Sequence, residues 1–198
     1  MIFNPDFHHR RSIRMRGWNY SFPSRYFVTI CAYKKEFLFG NIVDKQMVCN
    51  ELGGIIMKEL LRIPERFSNT ALDCFVVMPN HVHFNLSVGA VHACPRQGEP
   101  PFNFDNVQSD AQTGAIRELP LRDKRRKMLL FKMIGYFKMN SAKEINVIRQ
   151  SPGCPVWQRN YFERIIRDEN ELQRIQEYIL QNPLNWSQDE ENPDFVSK

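Results

Sequence analysis

Hydrophobic and polar positions change their period several times along the chain, and each change marks an element. Arg25-Tyr26-Phe27-Val28-Thr29-Ile30-Cys31-Ala32-Tyr33 is rich in β-branched and aromatic residues and predicts a first strand. From about Asp44 the period lengthens. Ile56, Leu60 and Ile63 recur at helical spacing and predict a helix ending near Pro64, weakened or kinked at Gly53-Gly54. Leu72 to Met78 returns to strand composition, and Met78-Pro79-Asn80 supplies the residues of a turn. In the strand that follows, His81, His83, Asn85 and Ser87 share one face, while Val82, Phe84, Leu86 and Val88 share the other. A basic helix is predicted from about Lys124 to Arg149. Leu130, Ile134, Phe137 and then Ser141 or Ile145 form its apolar face, and Ser151-Pro152-Gly153 stops it. A strand around Tyr161 to Ile166 precedes a last helix, which opens on Asp168 with Glu171 completing a capping-box-like pair. That helix carries the apolar stripe Leu172, Ile175, Ile179 and ends at Asn182-Pro183, because the residue before proline avoids helical geometry.

In order, the elements read strand, helix, strand, strand, helix, strand, helix. This predicts an α+β, ferredoxin-like (split βαβ) antiparallel sheet with two helices on one face, followed by a C-terminal helix carrying Tyr178. Val82, Phe84 and Leu86 need the helices, so the histidine face is expected to be polar, accessible and free to bind. Residues 89–120 hold Pro95, Pro100, Pro101 and Pro120 with little apolar periodicity, and read as a flexible insertion. The expected organisation is a basic N-terminal arm (1–24), one domain (25–186) interrupted by that insertion, and an acidic tail (187–198) with Asp189, Glu190, Glu191 and Asp194.

Composition narrows the class. A chain of 198 residues with 42% hydrophobic and 12% aromatic content can bury a real core. The five cysteines are scattered and never form Cys-x-x-Cys, which argues against a disulfide framework or a cysteine zinc site. No apolar run has the length of a membrane span, and Met1 to Arg16 lacks the apolar stretch of a signal peptide; the expectation is a cytoplasmic protein with no membrane partner. The formal net charge of +5 is unevenly spread. Residues 1–43 hold seven Lys and Arg against two acids, and residues 121–149 hold nine against two. Two basic blocks on one chain suit phosphate contacts; a solvated helix face plus a loose basic arm is the plainer alternative.

Two imidazoles side by side on a strand can hold a metal ion, although two surface histidines in an ordinary hairpin look the same from spacing. Tyr178 and Asn182, four apart, project from one side of the last helix one turn apart. By spacing alone Tyr178 only widens the apolar stripe, and Asn182 only caps the helix.

Longer motifs go further. Arg10-Arg11-Ser12-Ile13-Arg14, Tyr26-Phe27-Val28-Thr29-Ile30-Cys31, Met78-Pro79-Asn80-His81-Val82-His83, Val156-Trp157-Gln158-Arg159-Asn160-Tyr161 and Glu177-Tyr178-Ile179-Leu180-Gln181-Asn182-Pro183 are spread over nearly the whole chain. With them the chain resembles the single-tyrosine HUH transposases, most of all the REP-associated tyrosine transposases. The resemblance implies a metal-dependent enzyme that nicks and joins single-stranded DNA at hairpins through a covalent phosphotyrosine. It implies His81 and His83 as ligands of Mg²⁺ or Mn²⁺, Asn182 as the third ligand, and Tyr178 as the nucleophile. DNA contacts are expected from Arg10, Arg11, Arg14, Arg16, Lys124, Arg125, Arg126, Lys127 and Arg159. The implied partner is single-stranded or hairpin DNA, with no small-molecule cofactor, and the protein is expected to be a monomer or homodimer. Arg164 stands where many relatives have histidine.

Three other readings compete. A non-catalytic nucleic-acid-binding module of the same fold needs neither the histidine pair nor Tyr178. A His-x-His-x-His nucleotide hydrolase needs a third histidine where Asn85 stands. A domesticated transposase, processing palindromic repeats without moving itself, is indistinguishable by sequence. Tyr161 is the one serious substitute for Tyr178 as nucleophile.

Overall fold

The alternation of the first strand decides the architecture, because its two faces go to different partners. The computed structural model describes residues 19–89 and 128–194. β1 (Ser24–Cys31) lies inside a four-stranded antiparallel sheet, beside β5 (His81–Val88) on one edge and β6 (Phe162–Ile166) on the other; β4 (Thr70–Val77) pairs with the far side of β5. The order is therefore β4-β5-β1-β6. Register puts like with like: Val28 faces Phe84 and Ile30 faces Val82, while Thr29 faces His83 and Cys31 faces His81. Between Leu72 and Phe75 the β4 register shifts by a bulge. Leu72 and Phe75 consequently both pack on one core, although an odd spacing separates them.

That core lies between the sheet and two helices, α1 (Glu51–Arg66) and α2 (Leu129–Ile148). Tyr26, Val28, Ile30, Val82, Phe84 and Leu86 meet Ile56, Leu60 and Ile63 of α1 and Leu130, Met133, Ile134 and Phe137 of α2. Ser141, expected on the apolar face, is fully buried there; it donates to Phe137 O and accepts from the Trp157 indole N–H at 2.9 Å.

Several expectations need correcting. The segment from Asp44 is not helical. β2 (Gly40–Val43) and β3 (Gln46–Cys49) form a hairpin whose two loop residues, Asp44 and Lys45, have φ of 49° and 61°. This is the left-handed pair that matches strand twist, written here without its usual Asn-Gly. The helix starts at Glu51 instead, where the Asn50 side chain accepts from Gly53 N at 3.0 Å, and it runs through Pro64 to Arg66. Gly53 does not break it; a Cβ there would lie 2.3 Å from Phe39 O, so the glycine permits close packing. The onset at Lys124 and the insertion from residue 90 lie outside the described residues, and the helix is seen from Leu129.

The second face of the sheet is not open. α3 (Glu169–Gln181) crosses it and buries Leu172 and Ile179, with Ile175, against Phe27, Ile166, Cys74 and Val76. Its start is as expected: Asp168 accepts from Glu171 N at 2.8 Å. Glu171 reaches back to Arg167 N and also pairs with Arg164. Nor does the acidic stretch stand outside the fold. The chain reverses after α3 through a short 3₁₀ turn, Trp186–Gln188, and buries Asp189 and Asn192.

Candidate active site

Strand alternation sets both imidazoles on the α3 side of β5. Contrary to expectation they are buried, at 0% and 2% exposure, because α3 and the segment after it cover them. The His81 and His83 Nε2 atoms lie 3.0 Å apart, with ring centroids at 4.4 Å. Each ring is backed on its other nitrogen: His81 Nδ1 lies 2.8 Å from Asn80 Oδ1, and His83 Nδ1 lies 2.7 Å from Thr29 Oγ1, its cross-strand neighbour. Phe27 stacks on His83 at 5.4 Å, and Trp186 lies over His81 at 6.0 Å.

Two further groups reach this pair. The Tyr178 hydroxyl lies 3.3 Å from His83 Nε2, with its ring edge-on to Phe27 at 5.9 Å. Tyr178 as a residue remains 47% exposed beside the buried pair. Asp189 Oδ2 lies 3.9 Å from His81 Nε2; one ligand atom each from His81, His83 and Asp189 fits within 4.8 Å of the others. Asn182 caps α3 and donates to Asp189 Oδ2 at 2.9 Å, while its own Oδ1 is buried with no hydrogen-bond partner among the described residues.

Burial sets the protonation states. It pushes His81 down to about 4, opposed by the negative charges of Asp189 and Glu191. His83 is held well below the usual imidazole range by burial and then by His81. Both rings are thus neutral at pH 7, the form that ligates a metal. Tyr178 is pushed up to about 12, first by burial and then by Asp189, Glu191 and Glu190, so its hydroxyl keeps its proton more firmly than free tyrosine.

Two neutral imidazoles whose Nε2 atoms face each other, a carboxylate and a nearby amide oxygen make a donor set that fits a divalent cation such as Mn²⁺ or Mg²⁺. Asp189 was missed in the sequence. Its one signal is the acidic run 189–191, whose approach to His81 depends on the chain reversal at Trp186–Gln188.

The remaining predicted residues are placed as follows. Arg159 is exposed, and its carbonyl accepts from Lys138 Nζ at 3.2 Å. Tyr161 packs with the helix-side core near Phe131, away from the face that carries Tyr178. Arg10, Arg11, Arg14, Arg16, Lys124, Arg125, Arg126 and Lys127 lie outside the described residues.

No family model matches the chain. Its fold is similar to a REP-associated tyrosine transposase bound to a REP hairpin, with TM-score 0.43, 13% identity and coverage of 90% of this chain and 73% of that one. It is also similar to a Deinococcus radiodurans structure described as a candidate transposase, with TM-score 0.42, 16% identity and coverage of 84% and 95%. In sequence it is 35% identical over 189 residues to an uncharacterised Haemophilus influenzae protein, spanning 95% of this chain and 96% of that one. At that identity over nearly full length, the chain belongs to one family with the Haemophilus influenzae protein.

Proposed function

We propose that this protein is a metal-dependent single-stranded DNA endonuclease and strand transferase, a single-tyrosine HUH transposase acting at DNA hairpins with Tyr178 as its nucleophile. The observation that carries the reading is the Tyr178 hydroxyl at 3.3 Å from an imidazole nitrogen that itself faces a second imidazole at 3.0 Å. Core packing alone asks for neither arrangement. The strand order β4-β5-β1-β6, with α1 and α2 as crossovers, supports the ferredoxin-like form of the sheet.

In this reading His81, His83 and Asp189 hold a divalent ion, with the Asn182 side chain beside them. Such an ion would polarise a non-bridging oxygen of the scissile phosphate. Tyr178 Oη attacks phosphorus; the O–P bond to tyrosine forms as the bond to the 3′ oxygen breaks. The phenol proton is lost, and the departing 3′ oxygen gains one. The phosphotyrosine keeps the bond energy, so attack by a 3′-hydroxyl rejoins DNA without ATP.

Incubation with labelled hairpin DNA and Mn²⁺ tests the reading: a covalent adduct that maps to Tyr178 is expected, and an adduct on Tyr161 would refute it. The basic arm is tested separately. Replacing Arg10, Arg11 and Arg14 together should weaken hairpin binding and flatten its salt dependence by about one unit of slope per lost phosphate contact. An unchanged slope would remove the arm from the interface.

A further inference from the structure

We propose that Asn80 is the positioning residue of this site: it holds His81 in the tautomer that turns its Nε2 lone pair towards His83, and it ties the Asp189–Glu191 segment to the same ring. This rests on the metal-site reading above. Asn80 is fully buried just before β5. Its amide nitrogen donates to two main-chain carbonyls on separate segments, Glu191 O at 2.7 Å and Lys35 O at 3.3 Å. Both neighbours only accept, so the NH₂ end must face them, and Oδ1 is left facing His81 Nδ1 at 2.8 Å. An amide oxygen cannot donate. His81 Nδ1 therefore carries the ring proton, and Nε2 presents a lone pair to His83.

The backing of His83 differs. Its Nδ1 meets the Thr29 hydroxyl, which donates or accepts as required. Without a cation, His83 can supply the proton between the two Nε2 atoms. With one, Thr29 accepts from Nδ1 and both lone pairs become available. One ring is fixed and the other adapts, and the fixed one is set by Asn80.

The same amide also reaches the acidic segment. Glu191 N donates to Asp189 Oδ1 at 2.6 Å, and Lys35 Nζ holds the Glu191 carboxylate and Glu190 O, each at 3.0 Å. Asn80 is thus bonded both to a histidine of the pair and to the main chain of the segment that brings the carboxylate. Aspartate at this position would keep the acceptor and lose both donors, which separates the two roles.

The test uses the full chain with ¹⁵N-labelled histidine. Two-bond ¹H–¹⁵N correlations read the His81 tautomer without metal, Mn²⁺ titration followed by electron paramagnetic resonance reads affinity, and thermal unfolding checks the fold. Wild type and Asn80→Asp are expected to keep His81 Nδ1–H, whereas Asn80→Ala should populate Nε2–H and bind Mn²⁺ about 10- to 100-fold more weakly. Folded Asn80→Ala with Nδ1–H and wild-type affinity would overturn the proposal. Should Asn80→Ala not fold, Asn80→Asp decides: Nε2–H in that variant overturns it, and Nδ1–H with faster amide exchange at Glu191 upholds it. If wild type binds Mn²⁺ no better than His83→Ala, the metal reading fails, and the tautomers alone judge Asn80.

Discussion

The two faces of the sheet are equally dry and chemically opposite. On the α1/α2 side, Tyr26, Val28, Ile30, Val82, Phe84 and Leu86 are completely buried and apolar. On the α3 side, Thr29, His81, His83 and Asn85 are also buried, one residue out of phase on the same strands. Burying an apolar group stabilises in proportion to its area, whereas burying a polar one costs free energy unless it is hydrogen-bonded. The second face meets that cost only in part. Asn80 and Thr29 back the two rings, but Asn85 Oδ1 and Asn182 Oδ1 have no hydrogen-bond partner among the described residues. Burial alone therefore does not mark the site; two facing imidazoles with a phenol and a carboxylate beside them do.

The sharpest way to break this comparison is to remove one oxygen. Tyr178→Phe keeps the ring against Phe27 and His83 and should leave thermal stability and hairpin affinity near wild type while removing the covalent DNA adduct entirely. Normal adduct yield would make Tyr178 a packing residue like those of the other face.

The opposite experiment cuts into the apolar face. Phe137 is fully buried, with Phe84 at 6.1 Å and Trp157 at 5.4 Å between ring centroids. Phe137→Ala should cost about 3–5 kcal/mol in denaturant unfolding, through lost transfer energy plus a cavity. Whatever fraction remains folded should retain wild-type Mn²⁺ affinity. A selective loss of metal binding without loss of stability would mean that the two faces are not separable.

Acid should act on the histidine face. Both imidazoles are held below their ordinary value, so the folded state binds fewer protons than the unfolded chain below pH 6.5, down to about 4 for His81 and in the same direction for His83. Their contribution is fully present above 6.5 and is lost as pH falls, with a slope of up to about 1.4 kcal/mol per pH unit for each histidine. Unfolding of the metal-free chain across this window should be markedly steeper in pH for wild type than for a His81→Gln, His83→Gln double variant. Equal slopes would show that the rings are solvated.

The smallest expected effect concerns Asp189. Asp189→Asn removes the largest charge acting on Tyr178 and leaves the burial, so the phenol should ionise at lower pH in an ultraviolet titration, while remaining above its ordinary value. An unchanged titration would detach Asp189 from the site.

Much of this is legible in the sequence. Period-two alternation places His81 and His83 together and Val82 and Phe84 opposite whatever the strand's neighbours are, because the pleat is a property of the backbone. Helical spacing likewise found Leu130, Ile134 and Phe137 and left Ser141 or Ile145 open, where both are buried; local hydrogen bonding found the Asp168 cap. The β2–β3 hairpin was missed because Asp44-Lys45 adopts its left-handed turn without the residues that usually announce one.

Sequence by itself determined what is local: which residues share a face and where the last helix begins, with two imidazoles, a tyrosine and an amide set in motifs that resemble those of a known family. Only tertiary structure decided what is long-range. The stripe on α3 required an apolar partner but did not name the second face of the sheet. The acidic residues after Pro183 carried no period to show that Asp189 would turn back onto His81. Contacts of this kind depend on loop closure and on the last uncovered surface, and no spacing along the chain encodes either.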